Sequence, residues 1–148
     1  MAISVNVYGH TLYLLLTKAV DFTAIKLELL NNSAVFSNGD TTKAQVDNSG
    51  AYEVSGNGWP VGGPLMTNVT FTTTAIDDAL ANDCIIDADD VIENATGGTI
   101  GPAYNAVAID SSTGKPLFFV SFGQMQVAGD TTPFKVVWPT NGIFNFIV

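Results

Sequence analysis

The sequence contains no arginine, and its five lysines (Lys18, Lys26, Lys43, Lys115 and Lys135) are scattered. Nucleic-acid binding needs clustered cations that displace counterions, so direct contact with DNA or RNA is excluded as an expectation. Cys84 is the one cysteine, which rules out an intrachain disulfide. It has no evident histidine partner, so it is expected to be a small buried hydrophobe. The one histidine, His10, sits in a greasy N-terminal segment. There a packed or surface ring is expected rather than a general base. No spacing suits a zinc ion. Long hydrophobic runs are also lacking: Leu12 to Leu16 is far too short to cross a bilayer. No basic segment precedes that run and no small-residue cleavage site follows, so it is not read as a signal peptide. Charged residues make up 13% of the chain, a low share, and the formal net charge is −9. Asn, Ser, Thr and Gly must therefore cover much of the surface, and the acidic balance suits a neutral or basic partner.

What is abundant is Val, Phe, Ile, Thr and Gly, a composition that favours strands. The strongest signal is the stretch Gly101 to Gly123. Tyr104 to Asp110 and Leu117 to Phe122 read as two strands joined by the turn-forming Ser111-Ser112-Thr113-Gly114-Lys115-Pro116. On the first arm Val107 and Ile109 alternate with Ala106 and Ala108, giving one bulky and one small face. On the second, Leu117 and Phe119 alternate with Phe118, Val120 and Phe122, so both faces are apolar. Such a hairpin is expected mid-sheet, covered by a second sheet and by a neighbouring subunit. Phe119 is expected in the core.

Around this hairpin the chain reads as short strands. Ile3 to Val7 alternates, and Tyr8 to Lys18 suggests one short helix. Ala24 to Leu30 reads as a half-buried strand whose second face, with Lys26 and Glu28, is polar. Residues 31–58 are dense in Asn, Ser, Thr, Asp and Gly, and read as an extended polar loop or arm with a short strand near Ala51 to Val54. Trp59 to Leu65 is a fixed bend, and Asn68 to Thr74, Phe134 to Trp138 and Ile143 to Val148 are strands. The expectation is one all-β domain over residues 1–148, an antiparallel β-sandwich of jelly-roll type with one short N-terminal helix.

Chemistry-bearing clusters are few. Asp87, Asp89 and Asp90, with Asp83 and Glu93 nearby, offer the hard oxygens calcium prefers, but the EF-hand spacing fails and a solvated acidic strand end is the expectation. A hydrolase built on the Asp83 to Asp90 carboxylates would need two of them facing one cleft. Three Asn-x-Ser/Thr patterns, at Asn31, Asn68 and Asn94, read as polar loop and strand residues. Trp59 and Tyr52 are the candidate aromatic platforms for a sugar. No catalytic residue, cofactor or metal ligand is assigned.

Taken in order, several features carry a likeness. They are the segment Tyr8 to Lys18 leading through Asp21-Phe22 to Ile25–Leu30, then Tyr52-Glu53-Val54-Ser55-Gly56 and Gly62-Gly63-Pro64-Leu65. Val69-Thr70-Phe71, Asp87-Ala88-Asp89-Asp90-Val91, the central hairpin and the ending Trp138…Asn141-Gly142-Ile143-Phe144 follow. With these the chain resembles small structural proteins of tailed bacteriophages, of the capsid decoration or cement type. Ala75 to Cys84 departs from the pattern as an insertion, and so does Asn31 to Asn48. The resemblance implies a non-enzymatic virion protein on the capsid surface, made in the bacterial host cytoplasm, with the major capsid protein as partner. A neck, tail or host-attachment carbohydrate-binding module is the alternative. The surplus of apolar residues (mean hydropathy +0.29) adds the expectation of a homotrimer. Its interface is placed at Trp59, Phe144, Phe146 and Val148, with the polar arm wrapping a neighbour. No membrane contact is expected.

Overall fold

The computed structural model describes residues 3–73 and 84–146. Ala75 to Asp83 and Val148 lie outside them. The fold is all-β and antiparallel. Its main sheet has five strands in the order β1-β8-β7-β2-β3: β1 (Ser4–Val7), β8 (Lys115–Ala128), β7 (Ile100–Asp110), β2 (Ile25–Leu30) and β3 (Glu53–Val54). A three-stranded sheet joins β10 (Phe144–Phe146), β5 (Cys84–Asp87) and β4 (Thr70–Thr73), and a two-stranded sheet pairs β6 (Val91–Asn94) with β9 (Pro133–Val136). Two short helices, α1 (Thr11–Leu16) and α2 (Lys43–Val46), complete it.

The β7–β8 hairpin is central, as its two apolar faces require. Its arms are longer than the sequence pattern suggests, 11 and 14 residues. Ala106 and Ala108 face the main core, with Phe118, Val120 and Phe122 beside them. Val107 and Ile109 face a second cluster with Phe119, Leu30 and Tyr8. Leu117 departs from the alternation. Ile109 pairs with Pro116 and Ala108 with Phe118, so Leu117 is the extra residue of a bulge. It therefore joins the cluster of Phe118 rather than that of Phe119.

The two small sheets cover one face of the main sheet. Their apolar residues Ile86, Val91, Phe134 and Val136 share its core. Ring contacts stitch the layers: Phe118 meets Trp138 and Phe144 edge-on, at 6.1 and 5.4 Å between centroids, and Phe122 meets Phe134 at 6.3 Å.

The opposite face is covered by the chain itself. The stretch expected to reach out as a polar arm folds back on its own sheet. Ala34 and Val46 are buried in the cluster of Leu30, Val107 and Phe119, with Phe36 and Tyr52 against it. Backbone bonds fasten it, Asn31 N to Tyr52 O at 2.9 Å and Lys43 N to Gly114 O at 3.0 Å. The Asn105 side-chain amide donates to the carbonyls of Asn31 and Ala34. Several of its polar side chains accept backbone N–H groups within the stretch, Asn31 Oδ1 that of Ser33 and Gln45 Oε1 those of Thr41 and Thr42. This cover also buries Glu28, so β2 has no solvated polar face, contrary to its alternating pattern.

The Trp59–Leu65 bend closes the free side of β2. Leu27 N donates to Pro64 O at 3.0 Å, and Leu65 bridges Lys26. A Cβ on Gly63 would stand 2.0 Å from the Leu27 carbonyl oxygen, and its φ of +80° disfavours a side chain as well, so glycine is required there.

Candidate functional site

The residues singled out from sequence do not converge. Trp59 is the clearest correction. It is 1% exposed, its ring edge-on to Phe134 at 5.3 Å, so it offers neither an interface nor a sugar platform. Tyr52 is half-buried against the Tyr8 cluster. Phe144 and Phe146 are half-buried and stack edge-on with one another on β10, at the edge of its sheet. Val148, with Asp83 of the acidic run, lies outside the described residues. Cys84 is half-buried rather than enclosed.

The Asp89 and Asp90 carboxylates are engaged in hydrogen bonds. Asp89 Oδ2 accepts from Thr67 Oγ1 at 2.9 Å and Asn68 Nδ2 at 2.7 Å. Asp90 Oδ1 accepts the Trp138 backbone N–H at 2.9 Å, and Trp138 Nε1 donates to the Asp89 carbonyl at 3.0 Å. This acidic run ties the β5–β6 turn to its neighbours. His10 Nε2 donates to the Pro116 carbonyl at 2.7 Å, with its ring stacked near Tyr8.

Two other features stand out. The first is an exposed apolar face on α1. Thr11 and Leu15 anchor the helix, Thr11 Oγ1 donating to Leu117 O at 2.6 Å. Because the sequence there is apolar all round, its outer side carries Leu12, Tyr13 and Leu16, the last 71% exposed. Beside it lies a hollow of about 570 Å³ lined by Leu15, Leu16, Lys18, Val20, Phe22 and Phe71. A contiguous apolar face rimmed by a lysine is the usual form of a docking surface.

The second is a charge cluster under the 31–58 stretch. β2 places Glu28 opposite Val107, on the side facing the second cluster. α2 supplies Lys43, and its last turn leads to Asp47. β3 supplies Glu53, which pairs with Leu30. Lys43 Nζ stands 2.7 Å from Glu28 Oε2, contacts Asp47 Oδ2 and lies 3.8 Å from Glu53 Oε2. Glu28 Oε2 is ion-paired to Lys43, and Glu28 Oε1 has no hydrogen-bond partner. Burial pushes the Glu28 carboxyl up to about 7, against the lowering effect of Lys43. For Lys43 burial acts downward, but Asp47 and Glu28 outweigh it and the net shift is up.

This cluster was missed in the sequence, although one sign was present. Thr42-Lys43-Ala44-Gln45 is the Thr-x-x-Gln pattern of a helix start, and Gln45 Oε1 accepts the Thr42 N–H at 3.0 Å. Glu28 carried no signal, because alternation in β2 suggested a solvated position.

No protein-family model, curated protein or solved structure matches this chain. No helix among the described residues is long and apolar enough to cross a membrane.

Proposed function

We propose that this chain is a non-enzymatic virion protein of a tailed bacteriophage, a decoration or cement protein seated on the head shell through contacts with the major capsid protein. The observation that carries the reading is the exposed apolar face of α1 beside its preformed hollow. A cement protein must clamp neighbouring shell subunits, and a rigid antiparallel scaffold presenting one apolar face suits that task. The short edge strands β1 and β3, four and two residues long, suit it too, because they limit stray pairing. The ordered sequence features described above lend it support, and the net charge of −9 favours a basic docking partner.

Cryo-microscopy of purified virions tests this. Density for the chain is expected on the outer shell, with the α1 face against a capsid subunit. Leu16→Asp places a charge in that contact and is expected to lower shell occupancy at least roughly tenfold. Density at the neck or tail instead, or undiminished occupancy with Leu16→Asp, would overturn the reading.

The same reading includes a homotrimer, held by β10 edges through the half-buried rings of Phe144 and Phe146. Light scattering is expected to give a trimer mass. A monomer mass at micromolar concentration removes the pre-formed trimer and leaves assembly on the shell.

A further inference from the structure

With Glu28 ionised, its cluster carries more negative charge than its one lysine can balance. Three carboxylates face one ammonium, in a site where Glu28 is 0% exposed and Asp47 1% exposed. Glu28 Oε1 and Asp47 Oδ1 are both buried and accept no hydrogen bond from the protein. An orphaned carboxylate oxygen in the interior is costly, so two of them aimed into one cluster call for a partner.

The geometry says what kind. One carboxylate oxygen each from Glu28, Asp47 and Glu53 lies within 4.8 Å of the others. Oxygens bound to one calcium ion at about 2.3–2.6 Å are separated by no more than twice that distance. The donors are all hard oxygens, with no imidazole or thiolate among them, which selects against zinc and copper. Glu53 is held in place by its other oxygen, Oε1, which accepts the Gly62 N–H at 2.5 Å. An access route exists as well. A pocket of about 420 Å³, lined by Lys43, Ala44, Asp47, Ser49, Gly50 and Glu53, opens from the cluster toward solvent. The Lys43 side chain is 33% exposed at that opening, and its flexible stem can withdraw into the pocket.

We propose that Glu28, Asp47 and Glu53 form a binding site for a hard divalent cation of the calcium class, which Lys43 fills with its ammonium until the metal displaces it. Exchange replaces one positive charge by two and brings the three carboxylates closer to neutrality. The irregular donor set suits calcium better than magnesium, which demands near-octahedral geometry and keeps its water. The site is separate from the α1 face and does not depend on the role proposed for it.

Calorimetric titration of calcium chloride into chelator-treated protein at about pH 8, where Glu28 is ionised, is the test, with sodium chloride at matched ionic strength as control. The wild type is expected to bind one calcium with a Kd of about 10⁻⁴–10⁻³ M, the range of weak extracellular-type sites. Lys43→Met removes the competing ammonium and is expected to bind about tenfold tighter or better. The double substitution Glu28→Gln/Asp47→Asn is expected to abolish binding. Absence of saturable binding by the wild type up to roughly 10 mM calcium would overturn the assignment. So would retention of binding in the double variant. Equal affinity of Lys43→Met and wild type would overturn displacement of Lys43. The decisive wild-type titration needs no substituted protein to fold.

Discussion

Phe118→Ala is expected to cost about 3–5 kcal/mol, the range for emptying a fully packed aromatic site. Phe118 is 2% exposed near the start of β8 and touches the rings of Trp138 and Phe144, on either side of the turn before β10. Its removal opens a void between the main sheet and the small sheets together, where no single neighbour can collapse to fill it. In a chain of this size the loss corresponds to a thermal midpoint lower by roughly 6–20 °C. Phe119→Ala, one residue along, empties the opposite face instead. That face holds the smaller cluster, with Phe36 at 6.0 Å, and its cover is a loop-rich segment freer to adjust. The Phe119 loss is therefore expected to be the smaller of the two. Thermal melts of both variants give the comparison, and equal midpoints would mean the two faces are not packed as described.

The second large effect is one of pH. Glu28 faces Lys43 and Asp47 from α2 and Glu53 from β3. In the folded chain its carboxyl holds a proton up to about pH 7, against an ordinary value of 4.5. A proton bound more tightly when folded favours the fold. That contribution is complete below the ordinary carboxylate range and is lost as pH rises through about 7. Gln at this position imitates the protonated form at every pH. Glu28→Gln is thus expected to gain on the wild type as pH rises, by up to about 3 kcal/mol above neutrality. Melts of both proteins from about pH 4 to 8 report the loss of the Glu28 carboxyl together with its coupling to Lys43, Asp47 and Glu53. A stability difference that stays flat across the range would show that Glu28 ionises normally.

These two residues also show what the sequence could and could not disclose. Phe118 was legible: a doubly apolar strand after a turn-rich connection has few places to go but mid-sheet. Leu117 was not, because a one-residue bulge reverses alternation without changing composition. Glu28 was misread for a related reason. Alternation reports polarity, and polarity implies solvent only when nothing else covers the strand. The cover came from residues 31–58, whose composition signals loops but not where those loops lie. Trp59 failed in the same way: a lone tryptophan between Gly58 and Pro60 looks exposed by its neighbours, whereas its ring is enclosed by Phe134, distant in sequence. The cluster of Glu28, Lys43, Asp47 and Glu53 was hidden because its members lie on three elements that only tertiary folding brings together.

The strand order carries a consequence for the chain as it is made. Among the described residues β1 pairs only with β8, Ser4 meeting Ser121, and β2 takes its full-length partner from β7, Ile25 meeting Asp110. During synthesis from the N-terminus, β1 has no partner and β2 has only β3 and the Leu65 bridge until the last third of the chain has emerged. The β7–β8 hairpin, joined by a short turn, needs no distant residue to close, whereas every other strand of the main sheet except β3 must wait for it. The nascent chain therefore leaves the ribosome with β1 unpaired and β2 paired along one edge alone, and both await the completed hairpin.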